Sequence, residues 1–309
     1  MHIPKLKDFF VGEEKNNIKY FAGMIIAMLI WGVSWTSGKA IVTHVHAEVA
    51  AFWRYAISLI TVIPVIWYLK VPMKKDKIAF FYMFIAGLFI SLFNYLFFMG
   101  LSHGEAGYGG TMVTAISPIL TYIMSIVILK NKVSTKQVLA LVIGIFGALI
   151  LLKVPFEGFA FLNINSLYFL ECAIIWSIVT IFAQKASKRV DPMMYTLVVF
   201  AVTCFTNMIF ALPYEPFAFS TFDSVFWWNI VFVGLLAGTF STALFFISAS
   251  HLGAHQAAVF MFIVPIGAIV SSWIVYDEKI LLSTVVGCLL TFVAVVLFNS
   301  KKRVVEVLK

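Results

Sequence analysis

The sequence is short of charge. Its 309 residues include 22 Lys and Arg and only 14 Asp and Glu, 12% in all, where soluble domains carry about a quarter. An ordinary water-soluble domain is thereby excluded. Catalytic signatures are missing as well: there is no HExxH, no GxSxG, no Walker A loop and no cluster of carboxylates that would hold two metals or activate water. Enzyme chemistry and self-contained ATP-driven pumping are excluded with them. Cysteine is scarce, and Cys172, Cys204 and Cys288 lie in separate apolar runs without CxxC or metal-ligand spacing, as small packing residues do. Long polar stretches are lacking too. The longest connections, FEGFAFLNINS and YEPFAFSTFDS, leave no room for a soluble domain outside the apolar runs. No small-x-small cleavage site follows the first run, so it reads as a retained span and not a signal peptide.

What is present is hydrocarbon: 62% hydrophobic residues, 32 of them phenylalanine, and a mean hydropathy of +1.01. A helix crosses the roughly 30 Å apolar core of a bilayer in about 20 residues. Ten such runs are expected, at about 20–43, 48–69, 78–101, 106–129, 134–152, 166–186, 192–213, 225–249, 254–276 and 279–299. The fold class is therefore an all-α polytopic membrane protein.

Basic residues orient it. The segments Lys5 to Lys19, Lys70 to Lys77, Lys130 to Lys136, Lys185 to Arg189 and Lys301 to Lys309 carry eighteen of the 22 Lys and Arg, and all fall on one side of a ten-span chain. Because short cytoplasmic loops retain Lys and Arg, both termini are expected to be cytoplasmic. Lys153 and Lys279 fall on the other side, and Lys39 and Arg54 lie inside spans. The asymmetry accounts for the net charge of +8 without a nucleic-acid partner. KLKDFFVGEEKNN, ahead of the first span, suits either an interfacial helix or an unstructured tail.

The two halves resemble each other. At an offset of 147, Gly87 meets Gly234, Phe98 meets Phe245, Pro118 meets Pro265 and Ser125 meets Ser272 without a gap. Five spans per half is an odd number, so the second half enters the membrane inverted, the architecture of alternating-access carriers with a midplane site. The expected organisation is a cytoplasmic or interfacial segment at 1–19, a first five-helix repeat at 20–153, an extracytoplasmic loop at 154–165, a second repeat at 166–299 and a basic tail at 300–309.

IWGVSWTSGKAIV, then AAFWRYAIS, AISPILTYIMSIVILKNKVS and FIVPIGAIVSSWIVYDEKI, occur in an order that resembles the EamA-type members of the drug/metabolite transporter superfamily, including YddG-type exporters. The resemblance covers residues 20 to 299. It implies a ten-helix exporter or exchanger of small metabolites, with a cavity lined mainly by the third, fourth, eighth and ninth helices and closed with help from the first and sixth. One departure stands out. The family usually carries a glutamate after the proline-bearing helix of each half, whereas this chain has Glu278 in the second half and Asn131 in the first.

On that basis the candidate cavity residues are Trp31, Ser34, Trp35 and Lys39 on the first span, Asn94 and Tyr95 on the third, Tyr108 and Thr111 on the fourth, Trp176 on the sixth, Thr242 on the eighth, and His255, Gln256 and Phe262 on the ninth. Interhelical hydrogen bonding is the competing role for each polar member. Charges inside a membrane mark function by default. Lys39 lies near the outer surface, where snorkelling to headgroups is the alternative to lining a vestibule. For Arg54 a structural role, in helix packing or headgroup anchoring, is favoured over a functional one. Glu171 is expected to form an outer-side ion pair with one of these two cations as a gate, or to couple protons. Pro118 and Pro265 are candidate hinges. His251 and His255 share a helix face but have no third ligand nearby, so no metal is expected.

The sequence thus points to a secondary transporter of amino acids or related metabolites in a bacterial inner membrane, with nucleotide-like and organic-anion substrates as alternatives. Its expected partners are a small-molecule substrate, the lipid bilayer and either protons or a counter-substrate, in a monomer or homodimer. No cofactor is expected. A channel-like facilitator or a membrane sensor is the competing class.

Overall fold

The computed structural model describes residues 18–129, 134–151, 155, 164–252 and 260–299. Asn131, His255, Gln256, most of the N-terminal segment and the basic tail lie outside them, as does most of the 154–165 connection. The described residues form helices α1 (Ile18–Val42), α2 (Ala47–Tyr68), α3 (Lys77–His103), α4 (Ala106–Leu129), α5 (Thr135–Leu151), α6 (Ile164–Ala186) and α7 (Pro192–Ala211). A rod, α8, follows, composed of Ser224–Val231, a π-helical segment Phe232–Phe240 and Ser241–Leu252. Then come α9 (Ile263–Tyr276) and α10 (Leu282–Asn299). Among the described residues, seven helices are long and apolar enough to cross a membrane, while α5, α9 and α10 are shorter apolar helices.

Helix starts are written locally. Asp76, Asp191 and Asp223 accept bonds from Ala79 N, Met193 N and Phe226 N, capping α3, α7 and α8, and each carboxylate satisfies an N–H that has no intrahelical partner. The Asp76 carboxyl is held below its ordinary range, first by the Ala79 N–H and also by Arg189 3.1 Å away.

The outside is apolar. Trp67 is 82% exposed at the lysine-rich end of α2, and Trp228 is 78% exposed near the opposite end of the bundle, a distribution that suits two aromatic belts at membrane surfaces. Between them Ile60, Phe205, Ile209 and Phe210 are exposed, a surface that hydrocarbon covers and water would not.

Contacts between helices follow a regular scheme. The main pairings are α5 with α10, α3 with α6, α1 with α9, α2 with α7, α4 with α6, α4 with α9, α3 with α7, and both α1 and α2 with α8. Exchanging every helix for the one five places along turns α1–α9 into α6–α4, α1–α8 into α6–α3 and α2–α8 into α7–α3, all of which are present. Small residues set the closest approaches. A Cβ at Gly32 of α1 would lie 2.6 Å from Val264 O and 2.7 Å from Gly267 Cα of α9. Gly234 and Gly238, in the π segment of α8, similarly admit α2, whose Ser58 hydroxyl donates to Gly234 O at 2.8 Å.

Candidate functional site

A cavity of about 330 Å³ lies within the bundle, inside the size range of small-molecule sites. Helix α1 contributes Trp31, Ser34 and Trp35, which share one face by their spacing of three and four. Arg54 comes from α2, Phe93 and Phe97 from α3, and Trp176, Thr180 and Gln184 from α6. On α4 the lining runs from Val113 through Thr114, Ser117, Pro118 and Thr121 to Tyr122. Met261, Val264 of α9 and Val295 of α10 complete it. The walls combine aromatic and aliphatic side chains with the hydroxyls of Ser34, Thr114, Ser117, Thr121, Tyr122 and Thr180 and the amide of Gln184, and Arg54 is the one charged lining residue among those described.

Arg54 is held in place from two directions. Asn94 donates its amide N–H to Ala51 O at 2.8 Å, which turns Oδ1 toward the guanidinium, 3.3 Å from Arg54 Nη1. The guanidinium carbon lies 4.7 Å from the centre of the Phe97 ring, close enough for a cation–π contact. Asn207 also donates to Ala51 O, at 3.2 Å, and accepts from Ser91, so α2, α3 and α7 share one polar cluster.

One end of the cavity is stopped. Trp35 packs on Phe97 with ring centroids 4.7 Å apart and on Phe169 at 6.0 Å. Gly100, Gly104 and Gly109 make room for the Phe169 ring; a Cβ at Gly109 would come within 2.5 Å of it. Beyond this aromatic layer, toward the lysine-poor end, α1 and α9 are tied together. Thr36 and Ser271 share a 2.6 Å hydroxyl bond, and Lys39 Nζ donates to Glu278 Oε1 at 2.8 Å with its ammonium 4.9 Å from the centre of the Tyr276 ring. The lining reaches the other way, along α6 to Gln184, two residues before that helix ends.

The Lys39–Glu278 pair does more than join two charges. Asp277 adopts a left-handed conformation, φ 53°, at the end of α9, a common helix ending that turns Glu278 back over the bundle. Its carboxylate accepts from Ala106 N and Gly107 N, both at 2.8 Å. These are orphan donors at the start of α4, where the helix dipole also favours an anion. The Glu278 side chain is 7% exposed and that of Lys39 23%. Burial works against ionisation of Glu278, but the Lys39 bond, the two backbone N–H groups and the ammonium charge together hold its carboxyl below the ordinary glutamate range. A carboxyl with a lowered pKa contributes its stability above its unfolded value and loses it as pH falls through the lowered one. Accessibility of this end of the bundle is therefore expected to stay constant from pH 8 to 5. Labelling of a cysteine placed at Thr36 in a cysteine-free background checks this. A titration inside that window that vanishes in Glu278→Gln contradicts it.

The residues expected from the sequence divide into groups. Trp31, Ser34, Trp35, Arg54, Trp176 and Pro118 line the cavity, and Lys39 sits above its closed end. Asn94 is fully buried behind Arg54 and does not line the space. Thr111 is also fully buried, and its hydroxyl has no hydrogen-bond partner among the described residues. Tyr108 packs its ring on Phe169, and Tyr95 lies outside the lining. Phe262 and Pro265 face a separate, almost wholly apolar groove on the outer surface between α1, α9 and α10, with Pro265 in the first turn of α9 and not in mid-helix. Helix α8 and its Thr242 contribute nothing to the lining, because Trp31 stands between, donating its indole N–H to Ala237 O of the π segment at 2.8 Å. Glu171 is exposed, next to the fully buried Cys172. The carboxylate that meets Lys39 is Glu278 and not Glu171, and Arg54 has no carboxylate partner among the described residues. Phe93, Phe97, Val113, Ser117 and Gln184 carried no individual signal among so many apolar and hydroxyl residues.

Comparison with known proteins gives a consistent picture. The model of the EamA-like transporter family matches twice, over residues 18–153 and 164–300. The chain is 24% identical to the uncharacterized transporter YoaV of Bacillus subtilis (strain 168), covering 88% of this chain and 94% of that one. It is 25% identical to YvbV of the same organism, also an uncharacterized transporter, over 91% and 92%. The S-adenosylmethionine uptake transporter of Rickettsia prowazekii (strain Madrid E) is 22% identical over 93% and 94%. A solved crystal structure shares the fold with a TM-score of 0.62, at 15% identity, covering 92% of this chain and 98% of the other.

Proposed function

The chain belongs to the EamA-like transporter family and is not an enzyme, and we propose that it is a secondary transporter that exchanges or exports amino acids or related small metabolites across a bacterial inner membrane by alternating access. The observation that carries this reading is the central cavity, stopped at one end by Trp35, Phe169 and the Lys39–Glu278 pair while its lining extends toward the other. With the lysine-rich end cytoplasmic, the arrangement is an inward-facing one. Two inverted five-helix repeats with both termini cytoplasmic form the proposed scaffold, supported by the double family match and by contacts that map onto one another when helices are exchanged five places apart. Pro118, inside α4 and on the cavity wall, is the proposed pivot.

The relative that takes up S-adenosylmethionine supports a substrate built on an amino acid and leaves import open beside export. The first test is counterflow. Proteoliposomes are preloaded with amino acids, nucleosides or organic acids, and uptake of the matching labelled compound is compared with uptake into unloaded vesicles. Stimulation by a defined subset is the expected result and distinguishes a carrier from a channel. Uptake that ignores preloading, or none at all by folded protein, overturns the reading.

A further inference from the structure

The lining of the cavity has an uncompensated charge. Arg54 carries five N–H donors, and the bond to Asn94 engages one of its terminal nitrogens at 3.3 Å. Every other lining residue is uncharged. Two carboxylates that could neutralise it are accounted for elsewhere: Glu278 is bound by Lys39 and two backbone N–H groups, and Glu171 is exposed. A cation inside an apolar wall attracts an anion far more strongly than it would in water, because the local dielectric is low. The guanidinium fork also matches a carboxylate in two-pronged geometry.

We propose that Arg54 is the receptor for a carboxylate and that the cavity takes a small organic monoanion with an aromatic or apolar body, for which an α-ammonium group is dispensable. The inference rests on the transporter reading above and names its substrate class. The count of charges sets the monoanion: one guanidinium is neutralised by one carboxylate, whereas a phosphate dianion would leave a net charge among apolar walls. Four of the lining hydroxyls already donate within their own helices: Ser34 to Trp31 O at 2.6 Å, Thr114 to Gly110 O at 2.6 Å, Ser117 to Val113 O and Thr180 to Trp176 O at 2.8 Å. Trp31, Trp35, Phe93 and Trp176 supply the faces on which an aromatic body would stack. No lining carboxylate is present, among the described residues, to hold an ammonium.

The test uses the full-length protein purified in detergent, with tryptophan quenching and thermal stabilisation as paired readouts at pH 7. The probes are 3-phenylpropionate, phenylalanine, phenethylamine and phenyl phosphate. The expected order places 3-phenylpropionate at least level with phenylalanine and well ahead of phenyl phosphate, with phenethylamine silent. Arg54→Gln is expected to weaken 3-phenylpropionate by about 10- to 100-fold, the loss of a charge-assisted contact. Arg54→Lys is expected to recover part of that, as a point charge without the fork. Equal binding of phenethylamine, preference for phenyl phosphate, or unchanged 3-phenylpropionate binding by Arg54→Gln each overturns the proposal. If Arg54→Gln does not fold, the order of the four probes on the wild type still decides. Counterflow separates the two readings. Exchange of nucleosides but not of amino acids or organic acids would leave the carrier standing and remove the carboxylate site, while Arg54-dependent binding without any exchange would do the reverse.

Discussion

Replacing Glu278 with alanine is expected to unlatch the lysine-poor end of the bundle and to reduce exchange by about 10-fold or more. Three interactions converge on this carboxylate, one from Lys39 on α1 and two from the N–H groups that begin α4. Removing it leaves a largely buried ammonium without its counter-ion and two backbone donors without acceptors. Breaking a buried pair from one side typically costs about 3 kcal/mol or more, so a shift of roughly a hundredfold between the closed and open arrangements of this end follows. The measurement is labelling of Thr36→Cys by a membrane-impermeant thiol reagent, with Cys172, Cys204 and Cys288 replaced. Thr36 is 5% exposed beneath the pair, and its labelling is expected to rise steeply in Glu278→Ala. Lys39→Ala is expected to act less strongly, since the carboxylate would keep both backbone donors. Unchanged labelling in Glu278→Ala would show that the pair does not hold the closure.

The second large effect concerns folding. Gly32→Leu places side-chain atoms where the backbone of α9 already is, with Val264 O, Gly267 Cα and Ala268 N all within 3 Å of the first added carbon. Backbone of a packed helix cannot move aside as the tip of a side chain can, and overpacking of this kind costs about 1–3 kcal/mol, occasionally more. Loss of the monodisperse species in detergent, or a fall of its unfolding temperature by several degrees, is the expected outcome. Gly23→Ala serves as the comparison, because its new Cβ would meet the Leu244 side chain at 3.0 Å and the Ser248 hydroxyl at 3.2 Å, side-chain atoms and not backbone. Equal tolerance of both substitutions would mean that the α1–α9 crossing is looser than described.

The contrast between Glu171 and Glu278 shows which information the sequence held. Depth in the membrane follows from counting residues along a helix, and Glu171 has the depth expected of a partner for Lys39 or Arg54. Azimuth does not follow from counting. A residue lies about 100° around the helix from its neighbour, and α6 buries Cys172, leaving Glu171 on the outer surface. Glu278 comes from a connection between helices, and its use depends on the left-handed turn at Asp277 and on a helix start 172 residues away. Neither has a local signature. The stripe of Trp31, Ser34 and Trp35 was legible because tryptophan and hydroxyls stand out against an apolar background at helical spacing. Phe93 and Phe97 were not, since 32 phenylalanines serve both lipid and cavity. Thr242 was placed on a helix that does reach the core but is screened from the cavity by the indole of Trp31.

The π-helical stretch Phe232–Phe240 has a consequence for rates. Five places earlier, α3 is an unbroken α-helix over Lys77–His103, so the two helices that exchange places in the proposed repeat are not copies. Two identical halves would give inward- and outward-facing forms of equal energy, with the empty carrier resting half its time in each. A wider turn on one side alone, wedged against the helix that holds Arg54, removes that degeneracy. Under the proposed alternating-access cycle the empty carrier is then expected to have a preferred resting face, and half-saturation on one side of the membrane to differ from that on the other even when the substrate is the same.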